Sequence, residues 1–314
     1  PSIVLYLAEG EEDLREFRAI CIDISTTDDV IGICPLGPQL RQAIIDVLSL
    51  ERIHLQNQEL NRDPIALREL GDRLTAAQLV EEELTSSILE HPENHDWYWK
   101  GIPLTANNQP IDSKRSFQSA LSAVMDSVYS QTPIIRNELL NRDRPSGQAH
   151  GARNKLLEAL IKHTEAENLN IEKSPPEKAV YDAVIKAPGF HRKTKTGWSI
   201  NDPRNEQYNF EPFWSEIDQF FSGSETSPRS FEELTEILVA PPFGLKRGLL
   251  PLIYVLALLR HQHDLALYEN KVYSPYLTVE VVERFVRRPH DFTVQRFQIK
   301  GLRRSIFQEY STAL

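Results

Sequence analysis

The feature that most constrains this chain is an apolar stretch near its end, Leu249–Leu259, which carries no charged side chain. Pro251 is well placed in the first turn of a helix, so the stretch predicts a helix from Pro251 to Arg260. A helix that is apolar on every side has to be buried within a folded domain. The stretch is also too short to cross a bilayer. It therefore predicts a core helix of a globular region.

The residues around this helix, Ser230–Phe297, follow the order of a winged helix. That order is helix, tight turn, short basic segment, apolar helix, hairpin and a further helix. Ser230 and Glu233 form a capping box at the start of the first helix. Glu269-Asn270-Lys271 suits the turn of a β-hairpin, and Thr278 caps the last helix. These signals predict a winged-helix-like domain over residues 230–314, ending in a basic tail.

A winged helix often binds DNA through its third helix, which here is the apolar one. Such a helix presents no donors to base edges, and direct readout of sequence needs those donors. Packing within a larger assembly, with non-specific contact to a phosphate backbone, is the favoured interpretation. The candidate contacts in this domain are Lys246, Arg247, Lys271, Arg303 and Arg304.

The charge and the cysteines bound the function further. The formal net charge of −10 argues against a protein that coats nucleic acid over its whole surface. The charge is uneven, because the start of the chain is acidic and its end is basic. Cys21 and Cys34 lack metal-ligand spacing, and a reduced cytoplasmic protein fits better than a disulfide. No signal peptide or membrane span is predicted, and the missing start methionine indicates a piece of a longer protein.

The whole chain predicts a mainly α protein with minor β structure. Residues 1–36 read as a small α/β segment, strand–helix–strand, in which the two strands are parallel. This unit is either the end of a sheet whose other strands precede Pro1 or a self-contained lobe. Residues 37–90 predict a helical hairpin, with Asp63 capping the second helix and Pro64 in its first turn.

Residues 91–222 predict a helical domain that begins with a linker, 91–114. The linker contains Trp97-Tyr98-Trp99, which either stacks nucleic-acid bases or packs in a groove between helices; the second is favoured. Helices are predicted over Ile134–Asn141, Ala152–His163 and Glu177–Lys186, the last with a capping box from Ser174.

An irregular segment follows, 190–211, and it is basic near its start. Arg192, Lys193 and Lys195 lie beside Trp198 and are candidates to grip a phosphate backbone, although a solvated loop is the favoured interpretation. Residues 222–229 predict a flexible joint before the winged helix.

Four stretches, in this order, resemble a known family. They are Trp97–Gly101, Val128–Asn141, Ser174–Tyr181, and Pro242–Pro251 with Leu265–Glu269. Together they resemble the region after the ATPase core in large bacterial P-loop ATPases from phage-defence loci, BREX-type ATPases among them. The resemblance covers roughly residues 37–314 as separate motifs. It implies a cytosolic defence ATPase that acts with partner proteins on or near DNA. The chain has no Gly-x-x-x-x-Gly-Lys-Ser/Thr loop, so the resemblance places the nucleotide site elsewhere in the parent protein.

Three weak constellations are the only candidates for catalysis. Asp264, Glu269 and Lys271 are similar to the metal-dependent nuclease pattern, but they surround a predicted hairpin tip. Arg144 and His150 have the spacing of helical HEPN ribonucleases, although Pro145 and Gly147 between them favour a turn. His261 and His263 close a helix and do not share a face of it. No catalytic residue, metal site or cofactor is therefore predicted.

The leading hypothesis is a non-catalytic interaction region of a larger ATP-dependent bacterial defence protein. It contacts partner proteins or other domains of a defence complex and, non-specifically, DNA. A nuclease, either HEPN-like or metal-dependent, is one alternative. A winged-helix transcription regulator is the other, and the apolar third helix counts against it.

Overall fold

A computed structural model of the protein describes residues 1–56 and 63–297, and this part of the chain is mainly helical with small sheets. The predicted fold class, mainly α with minor β, is confirmed at that level. The chain divides into two units, Pro1–Val128 and Tyr129–Leu314. This division falls inside the predicted helical domain 91–222. The predicted basic tail, including Arg303 and Arg304, lies outside the described residues.

The first unit is built on a mixed sheet that begins as predicted. Strand β1 (Ile3–Leu7), helix α1 (Glu11–Asp23) and strand β2 (Val30–Cys34) form a parallel βαβ unit. Two further strands, β3 (Asp96–Trp99) and β4 (Ile102–Pro103), extend the sheet antiparallel from β2 in the order β1-β2-β3-β4. The predicted linker is therefore wrong over these residues.

The aromatic cluster explains why a strand forms there. The indole of Trp97 lies over Gly32 of β2, where a Cβ would fall within 2.8 Å of three ring atoms. Trp97 also donates from Nε1 to the Pro92 carbonyl at 2.7 Å and packs on the ring of Phe117, 4.3 Å away between centroids. Phe117 belongs to α4 (Lys114–Val128), so this helix joins the first unit and not the helical body. Trp97 and Tyr98 are buried in the sheet and cannot stack bases, whereas Trp99 is partly exposed.

The predicted helical hairpin is present in the first unit. Helices α2 (Gly37–Gln56) and α3 (Pro64–Glu90) pack against each other. The Asp63 side chain accepts hydrogen bonds from the amides of Ile65, at 2.9 Å, and Ala66, at 3.2 Å. The N-cap predicted from Asp63-Pro64 is confirmed.

The second unit is built from six helices and six short strands among its described residues. In chain order they are α5 (Gly147–His163), α6 (Pro176–Tyr181), β5 (His191–Thr194), β6 (Gly197–Ile200), α7 (Glu211–Gly223), β7 (Arg229–Ser230), α8 (Phe231–Val239), α9 (Leu250–Arg260), β8 (Leu265–Glu269), β9 (Val272–Ser274), α10 (Val279–Arg287) and β10 (Phe292–Arg296).

The core of this unit surrounds α9, as the apolar stretch predicts. Seven consecutive residues, Leu252–Leu258, are buried, and Val255 has no exposed surface. Helices α5, α7, α8 and α10 contribute to the same continuous core. The segment predicted as a flexible joint is part of this structure, because Ser224 is buried and its Oγ accepts from the Arg296 amide at 2.9 Å.

The local signals at the helix ends and hairpin are also confirmed. The hydroxyls of Ser230 and Thr278 cap α8 and α10, accepting from amides three residues on at 3.2 and 3.4 Å. Asn270 and Lys271 form the β8–β9 turn with φ of 49° and 68°. Strand β10 was not predicted, and it inserts between β7 and β8 to give the order β7-β10-β8-β9.

One helix predicted in the helical body is absent, and two others are present but begin differently from the prediction. Residues Ile134–Asn141 are not helical, because the Asn137 side chain accepts from two later amides and the Ile134 amide donates to Tyr208. Helix α5 begins at Gly147, earlier than predicted, since Ser146 caps it. The cap predicted from Ser174 does not form; Pro175 precedes α6, which ends in a π-helical turn at Asp182–Lys186.

Shortening a side chain of α9 tests how much this core contributes to the stability of the second unit. Leu256→Ala is expected to lower the free energy of unfolding of the second unit by about 2–5 kcal/mol, because it leaves a cavity. Val272→Ala on β9, where the side chain is 70% exposed, is the control and should change it by less than about 0.5 kcal/mol. Urea denaturation followed by circular dichroism measures both. Equal effects of the two substitutions would contradict the assignment of α9 as the core.

Candidate functional site

Two loops of the second unit are held together at Gly248, just before α9. The Gly248 amide donates to the Arg142 carbonyl at 3.0 Å. A Cβ at Gly248 would lie 2.5 Å from the Arg142 oxygen and 2.7 Å from the Leu140 oxygen, so only glycine permits this approach. The sequence thereby places the segment 140–145 directly against the segment 246–248.

The two loops together carry four exposed cations. Lys246 and Arg247, both predicted contacts, lie on one loop, and Arg142 and Arg144 lie on the other. We call these four residues the basic loop pair. Asp143 partly neutralises them, because its carboxylate accepts from the Arg247 amide at 3.3 Å and lies 3.5 Å from the Lys246 ammonium. The surface can therefore attract an anion through side chains that stay in solvent.

Helix α5 contributes a fifth cation beneath this surface. The Arg153 side chain is 6% exposed and donates from Nη1 to the Gly248 carbonyl at 3.4 Å. Sequence reasoning missed Arg153 and Arg142, and it considered Arg144 only as a catalytic candidate with His150. One feature of the sequence could have indicated a buried arginine, because Arg153 falls on the side of the predicted helix that carries alanine and leucine residues.

The basic segment predicted as irregular is a β-hairpin, β5–β6. Lys193 and Lys195 are exposed on it, as a phosphate-contacting surface requires. Arg192 points inward instead, and its Nη1 donates to the carbonyls of Gly189, at 2.5 Å, and Asp202, at 2.8 Å. Burial is the main reason that the pKa of Arg192 is lowered from its ordinary value. Arg192 thus has a structural function, while the two lysines remain candidate contacts.

A buried histidine anchors this hairpin. His191 Nε2 donates to the Thr164 carbonyl at 2.8 Å, which leaves Nδ1 to accept from the Tyr181 hydroxyl at 2.8 Å. These two contacts match a neutral imidazole that carries its proton on Nε2. Burial lowers the pKa of His191 from its ordinary 6.5 and raises the pKa of Tyr181. Burial therefore disfavours protonation of the imidazole that holds the hairpin, although the hydrogen bond to Thr164 acts in the opposite direction.

Lys271 lies exposed at the tip of the β8–β9 hairpin. The neighbouring Glu269 is engaged, because its two oxygens accept from Nε and Nη2 of Arg284 at 2.7 and 2.8 Å. This bidentate pair lowers the pKa of Glu269. Oδ2 of Asp264 lies 3.9 Å from Nη2 of Arg296. Within residues 1–56 and 63–297, no group of three or more His, Cys, Asp and Glu side chains is arranged to hold a metal ion.

The remaining candidate residues differ in burial and in their partners. Arg144 precedes α5 and His150 lies in its first turn, and both side chains are exposed. His261 is buried at the end of α9 with its Nε2 2.8 Å from the Asp218 carboxylate, whereas His263 is exposed. Cys21 and Cys34 are free and buried in the first unit, where burial raises both thiol pKa values.

An open polar cleft of about 650 Å³ also lies in the second unit, beside α7. Asp202, on one wall, accepts from Nε and Nη2 of Arg260 at 2.9 and 2.8 Å and from the Trp214 indole at 3.2 Å. These bonds satisfy Asp202 and lower its pKa. The other carboxylates that line the cleft are Glu206, Glu211 and Asp218. Its acidic lining makes it a poor surface for nucleic acid.

Comparison with protein-family models, curated proteins and solved structures finds no match to this chain. None of the helices in the described part of the chain is both long enough and apolar enough to span a membrane.

The His191 network predicts a pH dependence. The unfolded chain takes up a proton near pH 6.5 and the folded protein resists it, so the stability of the second unit should fall as the pH drops below about 6.5. His191→Gln keeps hydrogen-bonding groups but does not titrate. Its melting temperature should therefore fall less between pH 7.5 and pH 5 than that of the wild type in thermal denaturation. Parallel pH profiles would show that His191 does not contribute.

Proposed function

We propose that this chain is a non-catalytic interaction region that contacts partner proteins and, without sequence preference, the phosphate backbone of nucleic acid. The observation that carries the proposal is the contrast between α9, which is buried, and the cations of the loop before it, which are exposed. A buried helix presents no groups to base edges. Exposed lysine and arginine side chains can contact phosphates without reading sequence.

The fold of the second unit supports a modified winged helix as the framework of this surface. The order β7, α8, α9 and β8 agrees with such a domain, and β10 lies beside β8 as a returning strand. The wing would then be enlarged by β9 and α10 between β8 and β10. In this variant the third helix has an architectural function, and contact passes to the loops and hairpin tips.

Partner contact is supported by the first unit. Several large apolar side chains on the helical hairpin are exposed, more than a solvated arm needs: Ile45 (47%), Leu48 (58%), Leu55 (81%), Ile65 (82%) and Leu79 (55%). Exposed apolar surface of this kind is typical of protein–protein contact. We assign these contacts to other domains or subunits of the same assembly.

The parent that we propose is a large bacterial phage-defence ATPase of the BREX type, acting in the cytoplasm. The support is the order of the four motifs. This sequence has no nucleotide-binding loop. ATP hydrolysis would then occur in another part of the parent. The full-length sequence is the direct test, since a parent without an ATPase domain would exclude this class.

Removing the two exposed loop cations tests the nucleic-acid contact. Lys246→Gln/Arg247→Gln is expected to weaken binding of a mixed-sequence DNA duplex and to reduce the slope of log K against log salt by about 2. Fluorescence polarisation over a salt series measures both quantities. The control, Lys114→Gln/Arg115→Gln on α4, removes the same charge from the first unit and should leave the slope unchanged. An identical slope in the loop variant would exclude these residues as contacts.

The nuclease alternative is tested by Glu269→Ala and His150→Ala. Because Glu269 pairs with Arg284, Glu269→Ala is expected to lower thermal stability without changing any background DNA or RNA cleavage. His150→Ala should change neither. Gel assays with Mg²⁺ or Mn²⁺ measure cleavage. Activity in the wild type that is lost in either variant would favour the enzyme over the interaction region.

A further inference from the structure

Arg153 is a buried cation without an anionic partner. Its side chain is 94% buried, and its Nε has no hydrogen-bond partner. Its one hydrogen bond runs from Nη1 to the Gly248 carbonyl and is long, at 3.4 Å. No carboxylate of the described residues lies within ion-pair distance of it. Burial lowers its pKa, with no neighbouring acid to oppose the effect.

The position of Arg153 makes this arrangement unusual. The other buried residues of α5 are alanine or leucine, namely Ala149, Ala152, Leu156, Leu157 and Leu160. An apolar side chain at position 153 would continue this pattern without the cost of desolvating a charge. Burying an ion without a partner is strongly unfavourable, and a ligand that supplies the counter-charge removes much of that cost. The Arg153 side chain is therefore suited to bind an anionic ligand that supplies the missing counter-charge.

The surroundings of Arg153 indicate the charge of the ligand. The carbonyl it contacts belongs to Gly248, which joins the two loops of the basic loop pair. Helix α9 begins two residues later at Leu250, so the positive end of its dipole lies at the same place. Asp143 and Glu138 are the acids recorded in ion pairs with the basic loop pair, at 3.5 Å each. The local field is thus positive and favours an anion.

We propose that Arg153 and the basic loop pair form a site for phosphate groups of a nucleic-acid backbone. Arg153 forms the floor and binds one phosphate through its guanidinium, whose planar donors match phosphate oxygens. A single phosphate on Arg153 would leave four exposed cations facing only two acids, Asp143 and Glu138. A polyanion supplies the further phosphates that they contact. The site deepens the proposed function, on which its choice of ligand rests.

The substitution Arg153→Met tests the site because it predicts two opposite changes. It keeps an unbranched apolar stem and removes the charge. The melting temperature should stay unchanged or rise, since an unpaired buried charge is removed. Affinity for a mixed-sequence DNA duplex at low salt should fall about tenfold, as expected for the loss of a charge-assisted contact. Arg153→Lys should bind with intermediate affinity, because it keeps the charge but not the planar fork.

Arg73→Met on α3 is the matched control. It removes the same charge from an exposed arginine paired with Glu69 and should change DNA affinity less than twofold. Arg153→Met that lowers the melting temperature by several degrees while DNA affinity stays unchanged would show a structural arginine and overturn the site. Equal DNA binding by wild type and Arg153→Met would also overturn it, while leaving the wider proposal of DNA contact intact.

The ligand class is tested separately. Inorganic phosphate should raise the melting temperature of the wild type and not that of Arg153→Met, against sodium chloride at equal ionic strength. This result without any DNA binding would reject the nucleic-acid ligand and the proposed DNA contact together, and would assign the site to free phosphate. Binding of polyglutamate as tight as that of DNA would overturn the phosphate assignment in favour of an acidic protein.

Discussion

Enclosure of α9 is the constraint on which the second unit depends. A helix with apolar residues around its whole circumference cannot lie on a surface, because each side would expose hydrocarbon to water. Helices α5 and α10 and strand β6 contact it, and α8 contacts it through Thr235 and Phe231 against Tyr254. Because α9 is buried, it cannot present hydrogen-bond donors to base edges. Contact with a ligand therefore has to come from the surface loops and hairpin tips around α9, which carry the exposed charges.

The parts of the fold that could be predicted are those determined by neighbouring residues. Asp63, Ser230 and Thr278 cap helices because their side chains reach amides within three residues. The parallel βαβ unit was also visible, since an apolar strand, an amphipathic helix and a second apolar strand follow one another closely. Hydrophobic periodicity and capping chemistry carry this information, and neither needs the rest of the molecule.

Pairing between strands that are far apart in the sequence could not be predicted from neighbouring residues. Strand β3 pairs with β2 across the whole helical hairpin, and β10 enters between β7 and β8 after α10. The β5–β6 hairpin is charged and short, so it has little hydrophobic alternation.

Among the site residues, Lys246 and Arg247 were found from local composition. Arg153 was not, because its significance depends on Gly248, which is close in space and distant in sequence. Arg192 is the opposite case. Its basic neighbours suggested a phosphate contact, but its side chain forms internal hydrogen bonds.

The contact at Gly248 has a mechanical consequence. Its backbone hydrogen bond to Arg142 holds two loops of like charge side by side before any ligand arrives. Folding of the surrounding core, which encloses the hydrocarbon of α9, supplies the free energy that opposes their mutual repulsion. The loops therefore do not have to be brought together when the proposed polyanion binds, because their cations are already in position.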